Sequence, residues 1–304
     1  MRQRPQALRP RALIAAGLLG ASLLAAAGRA AGAQARQEQR HDFDTAEGRL
    51  LGFYSASLMF GPLGLAAPGP APRLAFGVEL GYVPRLNDEQ RAIGTDKPEN
   101  TNLAPIYPRP RVAVGLPGRV VLEASWLPPV KVFGVTANFM NAAISGPLGT
   151  VGPVSLRGRL GAPWGRVRGS ITCSGDVAEQ GDADLRLYYN VICNGRDSED
   201  EFRPRHVSAE LIATGRRVRS VAGGTWAPWA AIGARREWTR FDIGVIRDDG
   251  TRDPDHPILV LHGTRPHGSV GIGWAGPRTV TLAGEMFYAP GSLATARVYA
   301  GLRR

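Results

Sequence analysis

The sequence predicts an all-β fold: an antiparallel up-and-down transmembrane β-barrel of about twelve strands, within a range of ten to fourteen, placed after a cleaved signal peptide. Three observations carry this expectation. From about residue 73 to the end of the chain, segments of roughly ten residues alternate apolar with polar or small side chains. Turns rich in Gly and Pro separate these segments. The amino terminus reads as an export signal, and nothing after residue 35 is a continuous apolar run long enough for a membrane-spanning helix.

The amino terminus carries Arg2, Arg4, Arg9 and Arg11 with no acid, then an apolar and small-residue stretch from Ala12 to Gly28. Ala31-Gly32-Ala33 and Ala33-Gln34-Ala35 both fit a small-x-small cleavage site. Residues 1–35 are therefore read as a signal peptide, with an uncleaved anchor as the less favoured alternative because the apolar run is short. Residues 36–48 are polar and are expected to form a flexible lead-in to one barrel domain over 49–304.

The net charge of +11 overstates the mature chain. Without the signal it has 32 basic and 26 acidic residues, a net of +6, and Lys occurs only at positions 97 and 131. Export, and the scattering of single Arg residues along strands, argue against a nucleic-acid partner. The partners expected are outer-membrane lipid, lipopolysaccharide and the barrel-insertion machinery. Cys173 and Cys193 are expected to form a disulfide in an oxidising compartment.

The predicted strands run over 49–60, 73–83, 106–116, 118–127, 131–145, 152–161, 165–173, 184–193, 204–214, 217–223, 228–238, 239–247, 257–263, 266–275, 277–288 and 293–302, some of them merged or spurious. Tight connections are expected at Leu116–Gly118, Gly161–Gly165, Ala275–Pro277 and Ala289–Gly291. Longer polar ones are expected at 85–104, 174–183, 194–203 and 247–257. Side-chain alternation then divides each strand into two faces. One carries Val120, Leu122 and Trp126, then Val270, Ile272 and Trp274, then Val280, Leu282, Met286 and Tyr288. The other carries Arg119, Glu123 and Ser125, then His206, Ser208 and Glu210, then Thr295, Arg297 and Tyr299.

This pattern, with aromatics at strand ends (Tyr82, Trp126, Trp274, Tyr288) and alternation persisting to the C-terminus, resembles bacterial outer-membrane β-barrel proteins in general. The resemblance implies an outer-membrane location, with lipid on the apolar face and the polar face inside. The chain departs from the usual aromatic last residue, ending Tyr299-Ala300-Gly301-Leu302-Arg303-Arg304. A soluble periplasmic β-sandwich, with the faces reversed, is the alternative.

The candidate lumen-lining residues are Arg157, Arg159, Arg166, Arg168, Glu79, Glu123, Glu210, Glu285 and Arg297. The four Arg residues from 157 to 168 are read as sharing the inner parity on two strands joined by the Gly161–Gly165 turn. They then form either an anion-attracting pore, making the barrel a channel or transporter for small solutes or lipids, or a structural network with the Glu residues that plugs it. The second is favoured, because small barrels fill their interior with side chains. His206-x-Ser208, and His267-x-Ser269 with Glu285 on the following strand, hint at a lipid hydrolase. No Gly-x-Ser-x-Gly elbow or zinc-type cluster accompanies them, so catalysis, cofactor and metal are not expected. The acids from Asp176 to Glu201 around the cysteines lack the spacing of a calcium loop and read as a solvated loop.

Overall fold

The structure, a computed structural model, describes residues 38–63, 74–86, 92–93, 97–98, 105–132, 134–179, 183–219, 223–276 and 279–304. The expected signal peptide, residues 1–35, lies outside the described residues. Ten antiparallel strands close on themselves: β1 Leu74–Tyr82, β2 Ile106–Gly115, β3 Val121–Leu127, β4 Val135–Val151, β5 Val154–Gly169, β6 His206–Thr214, β7 Thr225–Asp242, β8 Ile258–Ala275, β9 Val280–Ala289 and β10 Leu293–Arg303. Each pairs with the next in sequence, and β10 returns to β1 through Arg297↔Gly81 to Arg303↔Ala75. Ten closing strands, rather than the twelve expected, make the wall. The soluble sandwich is excluded as an architecture, because the sheet closes and two packed sheets do not form.

The difference in strand number comes from mergers. Gly161–Gly165 is no turn: β5 runs unbroken through it, paired with β4 from Val154 to Gly169. Pro163 is accommodated because it falls between Gly161 and Val167, where pairing to the chain of residues 200–214 lapses. The expected breaks near residues 239 and 264 are likewise absent, so β7 and β8 are single strands. The 200–214 chain is interrupted at Pro204, and its outer piece, Asp200–Arg203, keeps the register of β6 against both neighbours. The segment expected as a strand over 217–223 is only Val218–Arg219 paired to β7, residues 220–222 lying outside the described residues.

One end of the barrel carries the 83–105, 128–134, 170–199 and 243–257 connections and the short 290–292 turn. The other carries 116–120, 152–153, 215–224 and 276–279. At the long-loop end the 170–199 excursion holds helices α2 Gly175–Ala178 and α3 Ala183–Val191. The expected strand 184–193 is therefore helical; a short run of alternating Leu and Tyr does not by itself separate the two periods. Cys173 and Cys193 are bonded, with Cα atoms 5.8 Å apart, and pack against Val245. Buried Asp200 staples the same region. It accepts N–H donors from Ile171 (2.9 Å), Thr172 (2.5 Å) and Gly244 (2.7 Å). In the 243–257 loop, the backbone N–H of Asp255, with Arg247 beside it, holds the Asp253 carboxyl below the usual carboxylate range.

The expected lead-in and first strand are the largest departures. Glu38–His41 pairs in parallel with Ile258–Leu261, covering the edge of β8 that extends past its partner β9. Residues 46–58 form helix α1, Ala46–Leu58, inside the barrel at the long-loop end. Thr45 caps it by accepting the N–H of Gly48 at 3.0 Å, and Glu47 sits in its first turn. Phe53, Ala56 and Met59 pack against Phe287, Ala289 and Leu293, while Phe43 and Leu51 pack against Phe202 and Leu261. Past the helix, residues 59–63 continue into the lumen, where Leu63 is fully buried among Ile212, Trp229, Ala231, Ala283 and Tyr299.

The disulfide closes a separation of 20 residues. Replacing both cysteines by Ser is expected to cost up to about 3 kcal/mol of local stability in the chain-entropy picture. Faster proteolysis of the 174–192 segment would register this, with the barrel intact. Alkylation of both thiols in the unreduced native protein would contradict the bond.

Candidate functional site

Strand alternation turns one residue in two towards the lumen, and the sequence places ionisable groups at many of those positions. Among the described residues, five Arg and five Glu are buried inside the wall: Arg109 and Arg111 on β2, Arg159 on β5, Arg235 on β7 and Arg297 on β10, with Glu79 on β1, Glu123 on β3, Glu210 on β6, Glu237 on β7 and Glu285 on β9. Most of them touch. Glu79 accepts from Arg109 and, at 2.6 Å, from Arg111. Arg111 reaches Glu123 at 2.8 Å, and Glu123 also accepts from Arg159 at 2.9 Å. Arg159 reaches Glu210 at 2.6 Å, whose other oxygen lies 3.0 Å from His267 Nε2. The belt thus alternates in charge from β1 to β6, and His267 of β8 hydrogen-bonds its far end. Arg235 bonds Glu237 beside it, and Arg297 lies 3.8 Å from Glu285.

The arginines also face inward onto the plug. An α-helix leaves its last four carbonyls without intrahelical partners and carries partial negative charge at that end. Helix α1 has no basic residue in its last turn; the barrel wall supplies them instead. Arg109 donates to the carbonyls of Leu58 (2.8 Å) and Met59 (3.0 Å). Arg159 donates to Phe60 (3.0 Å), Arg111 to Gly61 (2.8 Å), and the Tyr107 hydroxyl to Ser57 (2.6 Å). The Phe60 ring lies between two guanidinium groups, 4.6 Å from Arg111 and 4.4 Å from Arg159, a cation–π arrangement in a dry site. Gly61 lets the plug pass close to β9: a Cβ there would run into the Glu285 carboxylate and oblige it to move.

Of the residues the sequence singled out, Glu79, Glu123, Arg159, Glu210, Glu285 and Arg297 lie inside the barrel. Arg157 is only half-buried and bonds the Arg119 carbonyl (3.1 Å) and Ser145 (3.3 Å). Arg166 and Arg168 do not line the lumen. Because β5 is continuous, they have the parity opposite to Arg159 and point outwards. There, with Arg203, they surround Glu201; Arg168 approaches to 2.6 Å and Arg166 to 3.6 Å. Sequence reasoning missed Arg109, Arg111, Arg235 and Glu237, although Tyr107-x-Arg109-x-Arg111 and Arg235-x-Glu237 carry the same inner parity that marked Arg159.

His267 pairs with Glu210 and not with Glu285, and Ser208 bonds the Gly161 carbonyl at 3.4 Å. His206 Nδ1 instead lies 3.4 Å from Ser55 on helix α1, both buried. Neither His-x-Ser pair is brought together as a nucleophile and base. Among the described residues no group of three or more His, Cys, Asp or Glu is placed to hold a metal. No helix among them is long and apolar enough to cross a membrane, which says nothing of a barrel. Comparison of the sequence with protein-family models and with curated proteins finds no match. The functional reading therefore rests on the geometry of the lumen and its wall.

Arg159 joins two glutamates to the plug, so Arg159→Met should leave Glu123 and Glu210 short of a partner. The expected loss is about 3–5 kcal/mol, read from chemical unfolding. Adding Glu210→Gln removes the carboxylate left with only His267 and should recover part of that loss. Equal stability of Arg159→Met and the unmodified protein would contradict the role given to the belt.

Proposed function

We propose that this chain is an integral outer-membrane β-barrel whose lumen is held closed by its own helix α1 and the belt around it, in a structural or lipid-handling role rather than as a standing diffusion pore. The observation that carries the membrane reading is the outward face. Phe76, Val112, Leu122, Ile144, Leu160, Leu211, Ile232, Val270, Leu282 and Val298 are all exposed, one on each of the ten strands. Soluble proteins rarely expose a continuous apolar surface of that extent. Strand length supports it: β1, β2, β6, β9 and β10 have 9, 10, 9, 10 and 11 residues, the length that crosses a hydrocarbon core when tilted.

The closed lumen follows from charge and volume. The inward arginines are paired with glutamates and with plug carbonyls, leaving little fixed positive charge free to attract anions. The long-loop end faces the exterior in this reading, as outer-membrane barrels keep their short turns on the periplasmic side. The exposed Arg166 and Arg168, with half-buried Arg203, around a single Glu201 then stand towards that side, where lipopolysaccharide offers phosphate groups. The barrel-insertion machinery is the other expected partner.

The unmodified protein should fractionate with the outer membrane, shift its gel mobility on boiling and give no steady conductance in planar bilayers. A variant with residues 46–61 replaced by a Gly/Ser linker should insert and conduct. Steady conductance of the unmodified protein would overturn the closed-lumen reading. Recovery as a soluble periplasmic protein without detergent would overturn the membrane one.

A further inference from the structure

Helix α1 leans on the β8–β10 side of the barrel and leaves a cavity of about 360 Å³ along the β2–β5 side at the long-loop end. Its inner walls are Leu50, Tyr54 and Leu58 of the helix and Tyr107, Leu127 and Ala137 of the barrel. Ile106, Pro108, Pro128 and Val130 also line it. Ile106, Pro108 and Val130 are exposed, so the cavity reaches the outer face of the wall.

The wall is open there for a reason written in the backbone. The β1–β2 ladder continues to Tyr82↔Ile106, but the β2–β3 ladder stops at Arg111↔Ser125. The Pro105 carbonyl accepts the N–H of Val83 at 2.9 Å, so the odd residues of β2 face β1. By alternation the even residues, Pro108 and Pro110, face β3. Continuing the Arg111↔Ser125 register puts Pro110 opposite Trp126 and Pro108 opposite Pro128. Proline has no N–H. At Pro108 and Pro128, neither strand has a donor to offer the other, and neither leaves one stranded. In hydrocarbon an unpaired N–H costs several kcal/mol, so proline is the residue that lets a wall part without that cost.

We propose that this cavity binds one acyl chain of an anionic membrane lipid, which enters sideways from the bilayer between β2 and β3. The proposal rests on the membrane reading above. The volume lies at the small end of ligand pockets and suits a single chain. Among the described residues, the hydroxyl-bearing lining groups besides tyrosines are Ser57 and Thr172, so the inner end offers little to a headgroup. The charge stands at the rim: exposed Arg85 lies between lining residues Pro84 and Leu86, and exposed Lys131 follows Val130. A headgroup phosphate left at the interface would meet these two cations.

The test is photolabelling of the full-length protein in vesicles containing phosphatidylglycerol with a diazirine near the end of one acyl chain, followed by peptide mapping. The expected result is labelling of Leu50–Leu58 and of inward residues near Leu127 and Ala137, beside general labelling of outward residues such as Phe76 and Leu122. Ala137→Trp should abolish the inward labelling and leave the outward labelling and heat-modifiable mobility intact. Should Ala137→Trp not fold, Val135→Trp fills the same cavity from its mouth. Arg85→Gln with Lys131→Gln should remove the preference for phosphatidylglycerol over phosphatidylcholine carrying the same chain. Outward labelling alone would overturn the acyl-chain site and leave the membrane reading standing. No labelling on either face would overturn the membrane reading itself. Inward labelling by a free diazirine fatty acid but not by the phospholipid would overturn a lipid source for the chain.

Discussion

The last turn of helix α1 and the three residues after it present a row of carbonyl groups inside a narrow barrel, away from water. The central belt of charged groups in the lumen is arranged around the need to satisfy them. Arg109, Arg111 and Arg159 do so with four guanidinium nitrogens, and Tyr107 with its hydroxyl. Burying three guanidinium groups creates a second requirement, which Glu79, Glu123 and Glu210 meet by alternating with them. Removing any one member leaves a charge or a carbonyl without its counterpart, so the group behaves as one unit. The apolar contacts of Phe53, Leu51 and Leu63 seat the plug, but they are less directional. The helix's position along the axis comes from the arginines.

Much of the wall was legible from alternation alone. The parity that marked Glu123, Glu210, Glu285 and Arg297 as inward survives because a strand's side-chain period is two, and ladders keep it over many residues. The same strictness explains the failure at Arg166 and Arg168. A single misplaced turn at Gly161–Gly165 reverses the face of every residue beyond it. Glycine and proline ordinarily mark turns, but a barrel wall also uses them where a neighbouring ladder lapses. Pro163 sits at such a lapse, and so do Pro108 and Pro128.

Helix α1 was hidden for a different reason. Its apolar residues at 50, 51, 53, 54 and 58 follow helical spacing, and Thr45 with Glu47 forms a helix start. Yet the helix has apolar contacts on several sides, so it lacks the polar face that makes a surface helix recognisable. Its polar partners come from distant strands, such as Arg297 on β10 and His206 on β6. No local pattern in residues 45–60 announces them.

The path of the chain ties the plug to the wall it fills. Helix α1 lies at the long-loop end, Leu63 lies deep in the lumen, and β1 starts at Leu74 on the opposite end. That same β1 is the strand to which β10 must pair to complete the wall. Ten residues join Leu63 to Leu74, so the plug is tethered closely to the strand that completes the wall. A short tether holds a segment at high effective concentration beside its partner. The lumen and its occupant are covalently one piece, and the plug need not be found by diffusion from solution.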